Sequence, residues 1–135
     1  MDARDTTLLS LRPHIPSINL SYSVTNEEFF QNSTLRPIAK LQSDLLILVF
    51  KNYIRKHKNV FYELAINDRL HYIENAIQKD IKFRNSLKGI IIGQFTLDEY
   101  ESYIENSSAL NKRMMNIVIE RLKSNIQLLE VECVF

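Results

Sequence analysis

The sequence reads as an all-α protein, a compact bundle of three long and two or three short helices with room for one short strand near the amino end. Three observations carry that reading. Leu45 to Phe50 is a run of six apolar residues, more than one and a half helical turns, so no face of it can be turned wholly to water. Leu70, Ile73, Ile77 and Ile81 recur at helical spacing, and so do Leu110, Met114, Ile117, Val118, Leu122, Ile126 and Leu129 near the carboxyl end.

Taken in order, residues 1 to 16 hold Pro13 and Pro16 with little periodicity, and an extended arm is expected there, ahead of a single helical domain over 17 to 135. Ile18, Leu20, Tyr22 and Val24 alternate with Asn19, Ser21 and Ser23, the period of a strand with one apolar face. A lone strand must borrow a partner, either the tail Val131 to Phe135, the same strand of a second copy, or another protein. An extended segment laid over the helices is the alternative.

Thr25 and Glu28 sit at capping-box spacing and should open a short helix through Phe29 and Phe30. Asn32, Ser33 and Thr34 interrupt it, and Pro37 suits the first turn of the next helix. That helix, Pro37 to His57, is the expected centre of the fold. Ile38, Leu41, Leu45 and Leu48 form one stripe on it, with Leu46, Val49 and Tyr53 forming a second. Cations at Lys51, Arg55, Lys56, His57 and Lys58 suit the negative end of its dipole.

After Val60, Phe61 and Leu64, Asn67 is a plausible N-cap for a helix running on to Gly93, about 40 Å by the α-helical rise. Thr96 and Glu99 form a second capping box, with Asp98, Glu99 and Glu101 crowding the turn behind it. Asn106, Ser107 and Ser108 mark a break or a fresh cap before the last helix.

A chain of 135 residues can bury a core without staples. One cysteine, Cys133, excludes an internal disulfide, and with three histidines it leaves too few soft ligands for a zinc site; neither metal nor cofactor is expected. No apolar run approaches the ~20 residues that cross a bilayer, and the amino end lacks an export leader, so the expected setting is cytoplasmic without membrane attachment. With 17 Lys and Arg against 16 Asp and Glu, net charge draws the chain to no polyanion; such a partner needs a local patch.

Four features could carry function. Gly89 and Gly93, four residues apart, allow close backbone approach. The simpler account is a helix crossing at Gly89 and a C-cap at Gly93. Arg84 or Asn85 falls where the stripe of Ile73, Ile77 and Ile81 should continue. A core-facing guanidinium needs a partner, either Asp80 four residues earlier or an anionic ligand held by Arg84, Asn85 and Lys88. Solvation of these residues, on a stripe that bends around the surface, is the competing account. Lys51 to Lys58 encloses Tyr53, a basic run with an aromatic, but dipole compensation explains those cations more simply and nucleic acid is not the expected partner. His71 and Glu74 share a helix face, in the reverse order and half the number of a helical di-iron centre. Catalytic residues are not assigned.

At Thr34-Leu35-Arg36-Pro37-Ile38, Phe83 to Gly89 and Asn111 to Asn116 the chain resembles a group of short bacterial proteins, a likeness covering residues from about 25 to 130. Some members carry the label "glyoxalase". Glyoxalase folds are paired βαβββ modules with His and Glu metal ligands; this chain has neither the strands nor the ligands, so the resemblance implies a family and no site residues. The expectation is a binding or protein-interaction module acting as a homodimer. The alternative is an enzyme or small-molecule binder with an anion pocket around Arg84.

Overall fold

The computed structural model describes residues 2–15 and 25–130, and every regular element among them is helical. The strand expected over Ile18 to Val24, its partner tail and Cys133 lie outside the described residues.

Helix α1 spans Ala3–Leu11, where an extended arm was expected. Asp2 caps it by accepting from the Asp5 amide at 2.8 Å, and helical order ends before Pro13, as the restriction on a residue preceding proline requires. Helix α2 (Asn26–Phe30) begins as expected, with the Thr25 hydroxyl accepting from the Glu28 amide. Asn32 to Thr34 do not interrupt it. The chain instead widens into a π-helical turn, Gln31–Leu35, in which the Arg36 amide reaches the Gln31 carbonyl, and then continues as α3 (Arg36–Leu41). Pro37 supplies the physical reason: with no amide to give the preceding turn, it favours a local widening over a regular i to i−4 ladder.

The expected helix from Pro37 to His57 is two helices. Gln42, at φ −89° and ψ 3°, separates α3 from α4 (Ser43–Lys56), and its side-chain amide donates to the Ile90 carbonyl at 3.1 Å. The break re-phases the apolar pattern. Leu46, Ile47, Phe50 and Ile54 face the core, whereas Leu45 is 45% exposed and Leu48 63% exposed, so the stripe through those two residues is not the buried one. Lys58 and Asn59, both left-handed, reverse the chain after α4, with the Asn59 amide reaching back to the Ile54 carbonyl.

A short 3-10 turn, Val60–Glu63, leads to α5 (Ile66–Lys79), whose N-cap is Ala65 rather than Asn67. The expected 40 Å helix stops at Asp80, and α6 (Ile81–Ile92) starts afresh there. Asp80 is extended (ψ 97°) and its carboxylate accepts from the Phe83 amide, a cap that competes with helix continuation. The stripe of Ile73 and Ile77 therefore ends, Ile81 is 70% exposed, and α6 buries Leu87 and Ile91 on a new phase.

Helix α7 (Leu97–Ile104) opens with the complete Thr96 and Glu99 capping box. Helix α8 (Ser107–Ser124) follows, then a 3-10 turn, Ile126–Leu129. The hub of the fold is α8 rather than the α3–α4 region, for it packs on α3, α4, α5, α6, α7 and the π-helical turn. Its inner face, Leu110, Met114, Met115, Val118, Ile119 and Leu122, is buried, and Met114 and Met115 fill the core. Beside it Phe50 packs edge-on to Phe61 and Tyr72, and Tyr53 stacks on Phe83.

Candidate functional site

Because α8 buries one face, its other face has to be polar. Residues 109, 112, 113, 116, 117, 120, 121 and 124 recur at spacings of three and four and form one wall of a groove of about 910 Å³. Gln31 of the π-helical turn and Arg36 of α3 stand on the other wall. Among the described residues, Arg36, Lys112, Arg113 and Arg121 bring four cations to it, against the single carboxylate of Glu120. Arg36 donates to Asn32 Oδ1 at 3.1 Å and Arg113 to Gln31 Oε1 at 2.8 Å; among the described residues none of the four cations is in an ion pair.

On the far side of the π-helical turn lies a cleft of about 620 Å³ with the opposite charge. Glu27, Asp98, Glu99 and Glu105 line it together with Phe29 and Thr34. Asn106 borders both depressions and donates its side-chain amide to Glu27.

The wall of the acidic cleft is fixed from behind by α1 and the residues after it. Arg12, only 8% exposed, donates both terminal nitrogens to the two Glu99 oxygens at 2.6 Å and a further bond to the Gln94 carbonyl at 2.8 Å. Thr34 donates to the same carboxylate at 3.0 Å and the Thr96 amide at 2.8 Å. Burial pushes the Glu99 carboxyl up, but Arg12, Thr96 and Thr34 together outweigh it and hold the group below the usual carboxylate range. Arg4 donates to the Phe95 and Gly93 carbonyls, and the buried Asp5 accepts from the Leu97 amide. Nothing in the sequence around Arg4 or Arg12 marked these contacts; only Glu99, through its capping box, was legible.

Of the residues singled out from sequence, Arg84 and Lys88 are half-buried, one turn apart on α6, and Asn85 is exposed. None of the three lines either of these depressions. Asp80 is not the partner of Arg84: its carboxylate takes the Phe83 amide and the Tyr53 hydroxyl. Neither Arg84 nor Lys88 is ion-paired among the described residues. The Lys51 to Lys58 run does not present its aromatic ring for stacking on a ligand. Tyr53 lies between His57 and Phe83, with ring centroids at 4.0 and 4.1 Å, while Lys51 and Arg55 border a third cleft shared with Glu63 and Glu130. Glu74 pairs with Lys123, and among the described residues no group of three or more His, Cys, Asp or Glu is placed to hold a metal. Nor is any described helix long and apolar enough to cross a membrane.

No family model matches the chain, and no curated protein and no solved structure is found to match it.

Proposed function

We propose that this chain is a binding module whose working surface is the outer groove of α8 and whose partner is anionic. The observation that carries the reading is the convergence of Arg36, Lys112, Arg113 and Arg121, none of them ion-paired among the described residues, on one groove of an otherwise charge-balanced chain. Inorganic polyphosphate titrated into isotopically labelled protein tests it. Amide shifts should concentrate on residues 108–124 of α8 and around Arg36; shifts centred on residues 51–58, or none at low salt, would reject the groove.

Two further readings rest on their own observations. Self-association as a homodimer is favoured by Leu97, Tyr100 and Ile104, an exposed apolar stripe along the outer face of α7. Light scattering at roughly tens of micromolar, above an obligate dimer's dissociation constant, should then give twice the monomer mass. A small-anion site at Arg84, Asn85 and Lys88, whether for binding or for an enzyme's substrate, is favoured by two half-buried cations with no ion pair among the described residues. If a phosphate or carboxylate binds there, it should raise the melting temperature of the native chain and not of Arg84→Met.

A further inference from the structure

Resting on the α8 groove as the anionic-partner surface, we infer that its occupant is a single-stranded polynucleotide held by its phosphodiester backbone. The first ground is spacing. Lys112 and Arg121 are nine positions apart on one helix, about 13 Å by the α-helical rise, so no single phosphate can touch both. A chain of regularly spaced phosphates can, with Arg113 beside Lys112 and Arg36 reaching the strand from the opposite wall.

The second ground is the company the cations keep. Gln31, Asn106, Ser108, Asn116 and Ser124 are the hydrogen-bonding side chains that, with Arg and Lys, contact phosphate and sugar oxygens. Arg36 and Arg113 are anchored by neutral amides, which orients their guanidinium groups without cancelling their charge. The third ground is what the groove does not offer. None of its described lining residues is aromatic, so these offer bases no ring to stack on and recognition falls on the backbone. The groove runs between α8 and the wall made by the π-helical turn and α3, and a flexible single strand can follow it where a stiff duplex does not bend at this scale. An acidic protein segment would also meet the charge, and polyglutamate is therefore one of the competitors in the test.

Fluorescence anisotropy with a labelled oligouridylate of about a dozen nucleotides tests this, with the matching duplex, polyglutamate and uridine monophosphate as competitors. The native chain should bind the single strand with log K falling against log salt at a slope of about −3, roughly 0.7 for each of four neutralised phosphates. Lys112→Ala combined with Arg121→Ala should halve that slope and weaken binding about tenfold or more at low salt, with an unchanged melting curve. Arg36→Ala, on the opposite wall, gives an independent check and should lower the slope by about 0.7. Variants that bind like the native chain would place the strand elsewhere and overturn the inference. So would a duplex that binds as tightly as the single strand, or a mononucleotide that competes equally per phosphate. If polyglutamate or polyphosphate binds in the groove and the oligonucleotide does not, the polynucleotide inference fails while the anionic-partner reading stands; if none of them binds, both fail.

Discussion

The Tyr53 hydroxyl donates to the Asp80 carboxylate at 3.0 Å, and this one bond ties the last turns of α4 to the break between α5 and α6. Burial, followed by the hydrogen bond and charge of Asp80, pushes Tyr53 up to about 12. In the unfolded chain the phenol loses its proton near pH 10, so between about 10 and 12 the folded state binds the proton and the unfolded state does not. Stability should therefore fall as pH rises through that window. Tyr62, Tyr72 and Tyr103 are also pushed up by burial and act in the same direction. Urea midpoints measured from pH 8 to 11 should decline for the native chain and decline less steeply for Tyr53→Phe. Equal slopes would show that the Tyr53 proton is not held by the fold.

Arg12 should be worth more than any exposed ion pair. Removing it in Arg12→Met leaves Glu99 in a partly buried site with only Thr34 and Thr96 as donors, at a cost of about 3 kcal/mol, the low end for an uncompensated buried charge. The native carboxyl titrates below its unfolded value, so the stability it contributes is present above that value and is lost as pH falls through the folded one. The gap between native and Arg12→Met should accordingly close in acid, where Glu99 is neutral in both proteins. A gap independent of pH would assign the loss to packing alone. Arg12→Met with Glu99→Leu should recover much of the deficit, as replacement of a whole buried pair by apolar groups can.

What was legible in the sequence follows from how local each cause is. The Thr25 and Thr96 caps, the burial of Leu110, Met114, Val118 and Leu122 on α8 and the core placement of Met115 depend on residues within a turn or two, and the structure has them as expected. Ile117, however, expected on the same stripe, borders the outer groove, and Ile119 is buried in addition. The two long helices failed at single residues, Gln42 and Asp80, whose side chains bond outside their own helix, to Ile90 and Tyr53. Periodicity cannot see such a competitor, and each break rotated the stripe beyond it. The α8 groove was illegible for a related reason: Arg36 and Lys112 are far apart in sequence and become neighbours only once α3 packs on α8.

The re-phasing of α4 makes a sharp contrast between adjacent leucines. Leu46 is 0% exposed, and Leu46→Ala should cost about 2 to 5 kcal/mol through lost burial and a residual cavity. Leu45→Ala, at a half-exposed site and with alanine the better helix former, should fall within about 0.5 kcal/mol of the native chain. Chemical denaturation of the two variants decides it, and a large loss at Leu45 would mean that the exposed face of α4 is covered in solution.

Gly89 gives the most direct test of whether the α6 face is free. A methyl group added there meets nothing within 4 Å, although Gly89 lies in a helix interior where glycine is a poor choice. On an open face Gly89→Ala should stabilise by about 0.5 to 1 kcal/mol through helix propensity alone. Gly93→Ala is its control, since the added carbon would sit 3.0 Å from the Gly89 carbonyl oxygen and should give no such gain. If a second copy of the chain packs its backbone against Gly89, the sign reverses: the methyl group would hold the two backbones apart, and Gly89→Ala would melt lower and shift toward monomer on dilution. Melting temperatures of both variants at two protein concentrations separate these cases. A stabilised and concentration-independent Gly89→Ala would exclude the α6 face from any dimer and leave the α7 stripe of Leu97, Tyr100 and Ile104 as the surface on which self-association would have to rest.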